Sequence, residues 1–334
     1  MPPATFSASA STVHAPTPPL WRLVLRSLPV PVLMSVICWV GAGVNYLLFH
    51  TLAELFSIVI AMVALVVATT SQRFTRNRFV VYIAVAIGWC GALDLLHMVV
   101  LDGMQLLPGN SADPAIQLWV AARFIQAVAL VSAPLLLYRS VRPLLMQAGF
   151  GMAAVLSAAL IANDFFPAAY VDGQGLTPFK IYAEYVIIGL LTGALALLWR
   201  QRALMSTRLL ANLMAAVVFM ILSELAFTRY VSVYATANLV GHLLKIFAYW
   251  YVYLALVHST LREPFSMLAR AASTYDAVPD PTLIVTANGK IHQANEAPAR
   301  YAGQAAEQLV GQSSHALFHD AEVSAAACPV CQGM

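Results

Sequence analysis

Residues 79–98 read FVVYIAVAIGWCGALDLLHM, an apolar run that carries Asp94 and His97 close to its end. A run of about 20 apolar residues is long enough to cross the hydrocarbon core of a bilayer as one α-helix. Ionisable side chains at membrane depth are costly, so they mark functional sites. This stretch therefore predicts a membrane-spanning helix that contributes to a polar site.

Seven further apolar runs of similar character surround this stretch. The eight predicted spans cover residues 29–49, 55–72, 79–98, 115–138, 146–165, 180–199, 207–228 and 236–258. Charged residues make up 10% of the chain and hydrophobic residues 60%, whereas a soluble domain has about 25% charged residues. We therefore predict an all-α polytopic membrane bundle of eight helices, residues 28–258, in contact with the lipid bilayer. The net charge of +3 does not indicate a nucleic-acid partner, because the basic residues are spread over several loops.

The distribution of basic residues predicts the orientation of the bundle. If the N-terminus is cytoplasmic, the predicted inner side collects Arg22, Arg26, Arg73, Arg76, Arg78, Arg139, Arg142, Arg200, Arg202, Arg208, Arg262 and Arg270. The outer side receives only Lys180 and Arg229. The positive-inside rule then places both termini in the cytoplasm, and the family resemblance described below implies the inner membrane of a bacterial cell. The count of eight spans depends on the predicted loops at residues 50–53 and 229–235, because merging either pair of helices would move the later charges to the other side. Residues 1–27 form a predicted disordered cytoplasmic segment.

Polar residues of the predicted spans gather near the outer membrane face. They are His50, Glu54, Asp94, His97, Arg123, Glu184, Glu224, His242 and Lys245. His50 and Glu54 are spaced i, i+4, whereas Asp94 and His97 are spaced i, i+3, as are His242 and Lys245. These spacings put Asp94 with His97, and His242 with Lys245, on one helix face. They do the same for His50 and Glu54 if the turn between the first two spans is helical. We therefore expect the set to converge on one site in the outer leaflet.

The residue types leave three interpretations of this site open. In the first, Glu54, Asp94 and Glu224 pair with Arg123 and Lys245 in a neutralising ionic network. In the second, His50, His97 and His242 bind a transition metal, with Glu54 or Asp94 as carboxylate partner. Two of these histidines would alternatively hold a haem, in a slot formed by the small residues Gly41, Gly43, Gly88 and Gly91. In the third, the site binds an organic or quinone-like ligand.

Four stretches of the chain resemble a known family. They are HTLAELFSI (residues 50–58), DLLH (94–97) with Gly103-Met104, QLWVAAR (117–123) and NLVGHLLKI (238–246). The four stretches, in this order, are similar to the third type of the MASE group, a group of bacterial membrane-associated sensor domains. The resemblance covers about residues 28–262. The resemblance implies sensing and signal transmission. It also implies a place ahead of a PAS domain in a histidine kinase of a two-component system or in a diguanylate cyclase.

The remainder of the chain agrees with that arrangement. Residues 259–275 predict a helical connector with an apolar stripe at Leu261, Phe265, Leu268 and Ala272. Residues 276–334 are similar to the start of a PAS domain, with two strands joined by the turn Asn288-Gly289. We therefore expect a partial α+β PAS-like domain and a homodimer formed through the connector and this domain. No catalytic motif occurs in the sequence given, so no enzymatic activity is assigned.

A second group of ligand-type residues lies near the C-terminus. His315 and His319 are followed by Cys328 and Cys331. This spacing suits zinc, and the alternatives are a redox-active dithiol or no special role.

Two other classes of function compete with the sensor. The first is a membrane-embedded metal- or haem-binding redox protein or enzyme. The second is a transporter, which the nearly uncharged inner halves of the spans disfavour. The prediction that we carry forward is a membrane sensory module that detects a small ligand, metal or redox cue and passes it through the last span to the PAS domain.

Overall fold

The computed structural model describes residues 19–71, 78–101, 104, 112–138, 141–228 and 236–318. The chain divides into two units, Met1–Arg262 and Glu263–Met334. The described part of the first unit contains nine α-helices. They are α1 (Leu20–Arg26), α2 (Pro29–Val44), α3 (Tyr46–Ser71), α4 (Arg78–Val99), α5 (Asp113–Ser132), α6 (Pro143–Ala162), α7 (Pro178–Arg200), α8 (Thr207–Phe227) and α9 (Thr236–Val257).

Shorter elements extend or join these helices. A 3-10 segment, Ala133–Tyr138, continues α5, and another, Arg202–Leu204, follows α7. Strands β1 (Tyr170–Val171) and β2 (Gly175–Leu176) form a small antiparallel hairpin between α6 and α7. A π-helical turn, His258–Arg262, follows α9.

The number of helices that are able to span a membrane agrees with the predicted bundle. Helices α3 to α9 are each long and apolar enough, which gives seven, and α1 with α2, bent by 45° at their junction, gives an eighth. The predicted all-α membrane bundle is therefore confirmed. The predicted loop at residues 229–235 lies outside the described residues, although α8 and α9 are separate helices on either side of it.

The predicted loop at residues 50–53 is wrong. Helix α3 is continuous from Tyr46 to Ser71, and the break lies at Asn45, whose backbone is extended (φ −157°, ψ 132°). The Asn45 side chain accepts a hydrogen bond from the backbone N–H of Leu47 at 2.7 Å, which satisfies a donor of the first turn of α3. His50 and Glu54 consequently lie one turn apart on a single helix.

The centre of the bundle is formed by α4, α5, α8 and α9, each of which buries more than half of its spanning segment. Helices α6 and α7 bury only 22% and 28% of their spanning segments, so they lie at the periphery of the bundle. Large apolar side chains such as Trp39 and Leu144, exposed by 67% and 79%, suit a lipid surrounding, because lipid tails are as apolar as these side chains.

Glycine allows two close helix contacts beside the predicted site. A Cβ atom at Gly91 of α4 would lie 2.5 Å from the Cβ of Ala61 on α3, and one at Gly241 of α9 would lie 2.5 Å from the ring of Phe227 on α8. Any larger residue at either position would push the helices apart. These contacts bring Asp94 and His242 close to the neighbouring helices.

The second unit is described over residues 263–318. It contains α10 (Glu263–Ala277), the antiparallel strands β3 (Leu283–Val285) and β4 (Ile291–Ala294), and the short helices α11 (Glu296–Ala302), α12 (Ala306–Leu309) and α13 (Ser314–Phe318). Gly289 adopts φ +76° in the β3–β4 turn, a conformation that glycine tolerates. The buried side chain of Asn295 accepts from the N–H of Thr282 and donates to three backbone carbonyls between Tyr275 and Asp280. These bonds fix the end of α10 to the strands.

Candidate functional site

Three buried histidines from three helices meet at one end of the bundle. His50 of α3, His97 of α4 and His242 of α9 are exposed by only 2%, 5% and 3%. The ring centroid of His50 lies 5.4 Å from that of His97 and 4.6 Å from that of His242. The Nε2 atoms of His50 and His97 are 3.4 Å apart. The predicted convergence of these three residues is present in the structure.

Backbone carbonyls fix the tautomers of two of the rings. Nδ1 of His97 lies 2.7 Å from the carbonyl oxygen of Ala115, and Nδ1 of His242 lies 2.8 Å from that of Asn238. A carbonyl oxygen only accepts, so each Nδ1 carries the hydrogen. In the neutral rings, each Nε2 is then a lone-pair atom, and the two face the centre of the site. Nδ1 of His50 has no hydrogen-bond partner in the described part of the chain.

The carboxylate of Glu54 completes this group. Its Oε1 lies 3.3 Å from Nε2 of His242, and Glu54 itself is fully buried. One ligand atom from each of His50, Glu54, His97 and His242 lies within 4.8 Å of the other three. We call these four residues the histidine cluster. Nitrogen and carboxylate donors of this kind suit zinc, copper, iron and nickel ions.

An ionic network lies directly beside the histidine cluster. Arg123 of α5 donates to both oxygens of Asp94, at 2.7 and 2.5 Å. Lys245 of α9 donates to both oxygens of Glu54, at 2.9 and 2.7 Å, and its Nζ lies 3.2 Å from Asp94. The hydroxyl of Tyr249 donates to Asp94 at 3.3 Å. Two cations and two carboxylates thus balance within the bundle, as a buried ion pair requires.

Aromatic rings shield this network. The guanidinium of Arg123 and the ammonium of Lys245 lie 4.7 and 4.4 Å from the ring centroid of Trp119. The faces of aromatic rings attract cations, more strongly where water is excluded. Trp119 also lies 5.7 Å from the ring of His97, so it contacts both the network and the histidine cluster.

A second charged group lies on α7 and α8. The Lys180 ammonium donates to the carboxylate of Glu184, one turn along α7, and to the backbone carbonyl of Phe227 at 3.2 Å. Glu224 of α8 is buried beside Glu184. The sequence interpretation paired Glu224 with Arg123 or Lys245, whereas in the described part of the chain these two cations form ion pairs with Asp94 and Glu54 and not with Glu224. Lys180, predicted to belong to the outer side, is a buried side chain of this group, exposed by 1%.

A cavity of about 30 Å³ opens beside the three histidine rings, and Lys180 and Asn238 also line it. A space of this size holds about two water molecules, so it is too small for a porphyrin or a quinone ring. The predicted haem slot is also filled, since a Cβ at Gly88 would lie 2.6 Å from Leu65 and one at Gly91 2.5 Å from Ala61. The geometry fits a single ion better than a haem.

Several residues of the site were not singled out from the sequence. Tyr249 contacts the network, but an aromatic residue in an apolar span carries no signal of such a contact. Lys180 did carry a signal, since it is spaced i, i+4 from Glu184, which the sequence analysis had already placed at the site. Of the C-terminal group, His315 lies in α13, and His319, Cys328 and Cys331 lie outside the described residues.

Comparisons with known proteins agree with this architecture. The family model described as MASE3, a membrane-associated sensor domain, matches residues 42–264. A model of the PAS fold matches residues 269–327. No curated protein and no solved structure matches the chain.

Proposed function

Since the chain belongs to the MASE3 family of membrane-associated sensor domains and continues into a PAS domain, we propose that it senses a transition-metal ion at the histidine cluster. The chain is a multi-pass membrane sensory module of a signalling protein. The ion as the cue, and the path by which its binding is relayed, are parts of this proposal.

The observation that carries the proposal is the close approach of four ligand atoms within the histidine cluster, all within 4.8 Å of one another. The fixed tautomers turn Nε2 of His97 and Nε2 of His242 toward Nε2 of His50 and Oε1 of Glu54, at 3.4 and 3.3 Å. Without an ion, a proton on Nε2 of His50 joins the rings of His50 and His97 by a hydrogen bond, and a bound ion would displace this proton. Ligands of a tetrahedral zinc ion with bonds of about 2.0 Å are about 3.3 Å apart. The His50–His97 and His242–Glu54 separations agree with that value, and the remaining pairs lie within 4.8 Å.

The surroundings of the cluster resemble those of known metal sites. Metal-bound histidine normally donates its other ring N–H to a carbonyl or carboxylate, which fixes the ring orientation. The carbonyls of Ala115 and Asn238 accept these bonds here. Rings that are already oriented lose less freedom when an ion binds, which favours affinity.

The proposed relay of the signal depends on competition between Lys245 and the bound ion for the carboxylate of Glu54. Lys245 holds both oxygens of this carboxylate, and an ion bound to His242 would compete for Oε1. His242 and Lys245 lie one turn apart on α9, so a change in the bonding of Glu54 biases the position of α9 against α3. Along the chain, α9 is followed by the π-helical turn and then by α10. Two states of one helix, biased by a ligand, are sufficient for signal transmission.

The proposal includes an orientation and an oligomeric state. The positive-inside rule places the termini in the bacterial cytoplasm and the histidine cluster near the outer face. On α10, Phe265 and Leu268 are exposed by 65% and 66%, and with Ala272 and Tyr275 they follow the 3–4 spacing of a coiled coil. We propose that two chains pair along this stripe.

The test of the metal site is the ion content of the full chain purified in detergent. Elemental analysis, followed by titration of chelator-treated protein with Zn²⁺, Cu²⁺, Ni²⁺ and Fe²⁺, should give one high-affinity ion per chain. His97→Ala and His242→Ala should each weaken binding at least tenfold, since metal-ligand bonds are lost. His292→Ala, in the exposed part of β4, is the matched control and should bind normally. A metal-free chain with no affinity for any of the four ions would leave the ionic network alone as the role of these residues.

A further inference from the structure

A second pocket lies at the opposite end of the bundle from the histidine cluster. It has a volume of about 310 Å³, which is at the lower end of the range for small-molecule sites. Its walls come from α1, the first turns of α8, the last turns of α9 and the π-helical turn. The polar residues that line it are Arg26, Ser27, Arg208, Asn212, Tyr253 and Arg262. We call it the arginine pocket.

The charge of the arginine pocket is uncompensated within the described part of the chain. Arg26, Arg208 and Arg262 each contribute a guanidinium, and no described carboxylate lies within salt-bridge distance of any of them. Three arginines around one cavity repel one another, although solvent screens part of this repulsion because all three side chains are exposed. An anion in the cavity would remove this repulsion.

Asn212 provides an independent sign of a ligand. It is exposed by only 8% and lines the pocket, yet its side-chain amide makes no hydrogen bond to any described residue. Buried polar groups in native proteins are almost always hydrogen-bonded, to protein, water or ligand. An amide that faces the cavity beside three guanidiniums is a further donor for an oxyanion.

The walls of the pocket are held together before any ligand binds. The indole N–H of Trp250 donates to the carbonyl of Ser27 at 2.8 Å, and the hydroxyl of Tyr251 donates to that of Val24 at 2.8 Å. These bonds fix α1 against α9. Arg26 on α1 and Arg262 after α9 are therefore positioned around a preformed space.

We propose that the arginine pocket binds a phosphate group carried by an anionic ligand. Planar guanidinium groups match phosphate oxygens in paired hydrogen bonds. Basic pockets between membrane helices on the cytoplasmic side suit anionic lipid headgroups, and a soluble phosphate compound presents the same chemistry. The bound phosphate would join α1, α8 and the end of α9 at the point where α9 passes into the connector. This site is independent of the proposed metal site, because the two share no residue.

The experiment compares two sources of phosphate with the full chain in lipid nanodiscs. In one arm, native mass spectrometry of nanodiscs that contain phosphatidylglycerol or cardiolipin counts the lipids retained by each chain. In the other arm, calorimetry in phosphatidylcholine nanodiscs measures the binding of inorganic phosphate and pyrophosphate. Arg208→Gln and Asn212→Leu should weaken binding in the productive arm about tenfold, the effect of losing one good charge-assisted contact. Arg200→Gln, an exposed arginine of α7 outside the pocket, should have no effect.

Each outcome decides the proposal. If retention of anionic lipid depends on Arg208 and Asn212, the ligand is a lipid headgroup. If only the binding of inorganic phosphate or pyrophosphate depends on these two residues, the ligand is a soluble phosphate compound. No binding in either arm, or equal losses in Arg208→Gln and Arg200→Gln, would overturn it. Thermal unfolding of the variants without ligand verifies that each of them folds.

Discussion

Lys245 donates to both oxygens of Glu54, at 2.9 and 2.7 Å, and so joins α9 to α3 beneath the histidine cluster. The same carboxylate lies 3.3 Å from Nε2 of His242. Glu54 therefore faces two groups of α9 that are one turn apart. Whatever binds at His242 must change how strongly Lys245 is held.

Lys245→Met should lower the stability of the metal-free protein and strengthen its response to metal. Removing the ammonium leaves Glu54 buried without its cation, which costs about 3–5 kcal/mol. An ion at the histidine cluster would replace the lost charge, so Zn²⁺ should raise the melting temperature more in the variant than in the parent. Differential scanning fluorimetry measures both effects. Lys290→Met, at an exposed position before β4, is the control, and equal Zn²⁺ shifts in Lys245→Met and the parent would contradict the proposed competition.

Lys180→Met should destabilise the bundle, again by about 3–5 kcal/mol, because Glu184 would be left as a buried charge without its ammonium partner. Lys180→Arg keeps the charge and should cost less. The double variant Lys180→Met/Glu184→Gln should recover part of the loss, since both charges are removed together. Chemical unfolding in detergent measures all three variants. If the losses in the free energy of unfolding of the two single variants simply add in the double variant, Lys180 and Glu184 are not coupled.

The orientation predicts that residues 99–114 face the periplasm and that the segment after α7 faces the cytoplasm. A phosphatase reporter, which is active only outside the cytoplasm, should be active after Ser111 and inactive after Arg202. Fluorescent-protein fusions at the same positions should give the reverse pattern. Activity of one reporter at both sites would refute the proposed topology.

Leu268→Glu should weaken self-association of the chain without unfolding it. Leu268 is 66% exposed within one chain, so the new charge meets water in the monomer but an apolar partner in a coiled-coil dimer. Light scattering or analytical ultracentrifugation of the detergent-solubilised protein should show a loss of dimer. Thr274→Glu places the same charge off the stripe and should leave association unchanged. A parent protein that is monomeric at all concentrations would remove the basis of this prediction.

The sequence predicted the bundle and the histidine cluster because their signals are local. Apolar length identifies a span, and the i, i+4 spacing of His50 and Glu54 places them on one helix face. The break at Asn45 was missed because it is a single extended residue within a nearly continuous apolar run. Hydropathy averages over such a residue, whereas the capping bond to Leu47 depends on backbone geometry.

Other parts of the site depend on contacts between distant segments. Lys180 stands close to the start of α7, where a sequence reading assigns it to the water-exposed side. It is buried because the carboxylate of Glu184 and the backbone carbonyl of Phe227 on α8 accept its hydrogen bonds. The acceptors of the His97 and His242 rings are backbone carbonyls, which every residue has. No side-chain pattern in the sequence therefore identifies the carbonyls of Ala115 and Asn238 as the acceptors.

The pairing of Asp94 with Arg123 across α4 and α5 has a consequence for the evolution of this domain. Loss of either residue alone strands a buried charge, whereas an apolar pair of similar volume at both positions is often tolerated. Drift at these two positions should therefore proceed in correlated steps, and a relative that lacks the arginine should lack the aspartate as well. Lys245, which contacts both Glu54 and Asp94, extends this dependence to four helices. Related sequences would then keep the residues of the network together or lose them together.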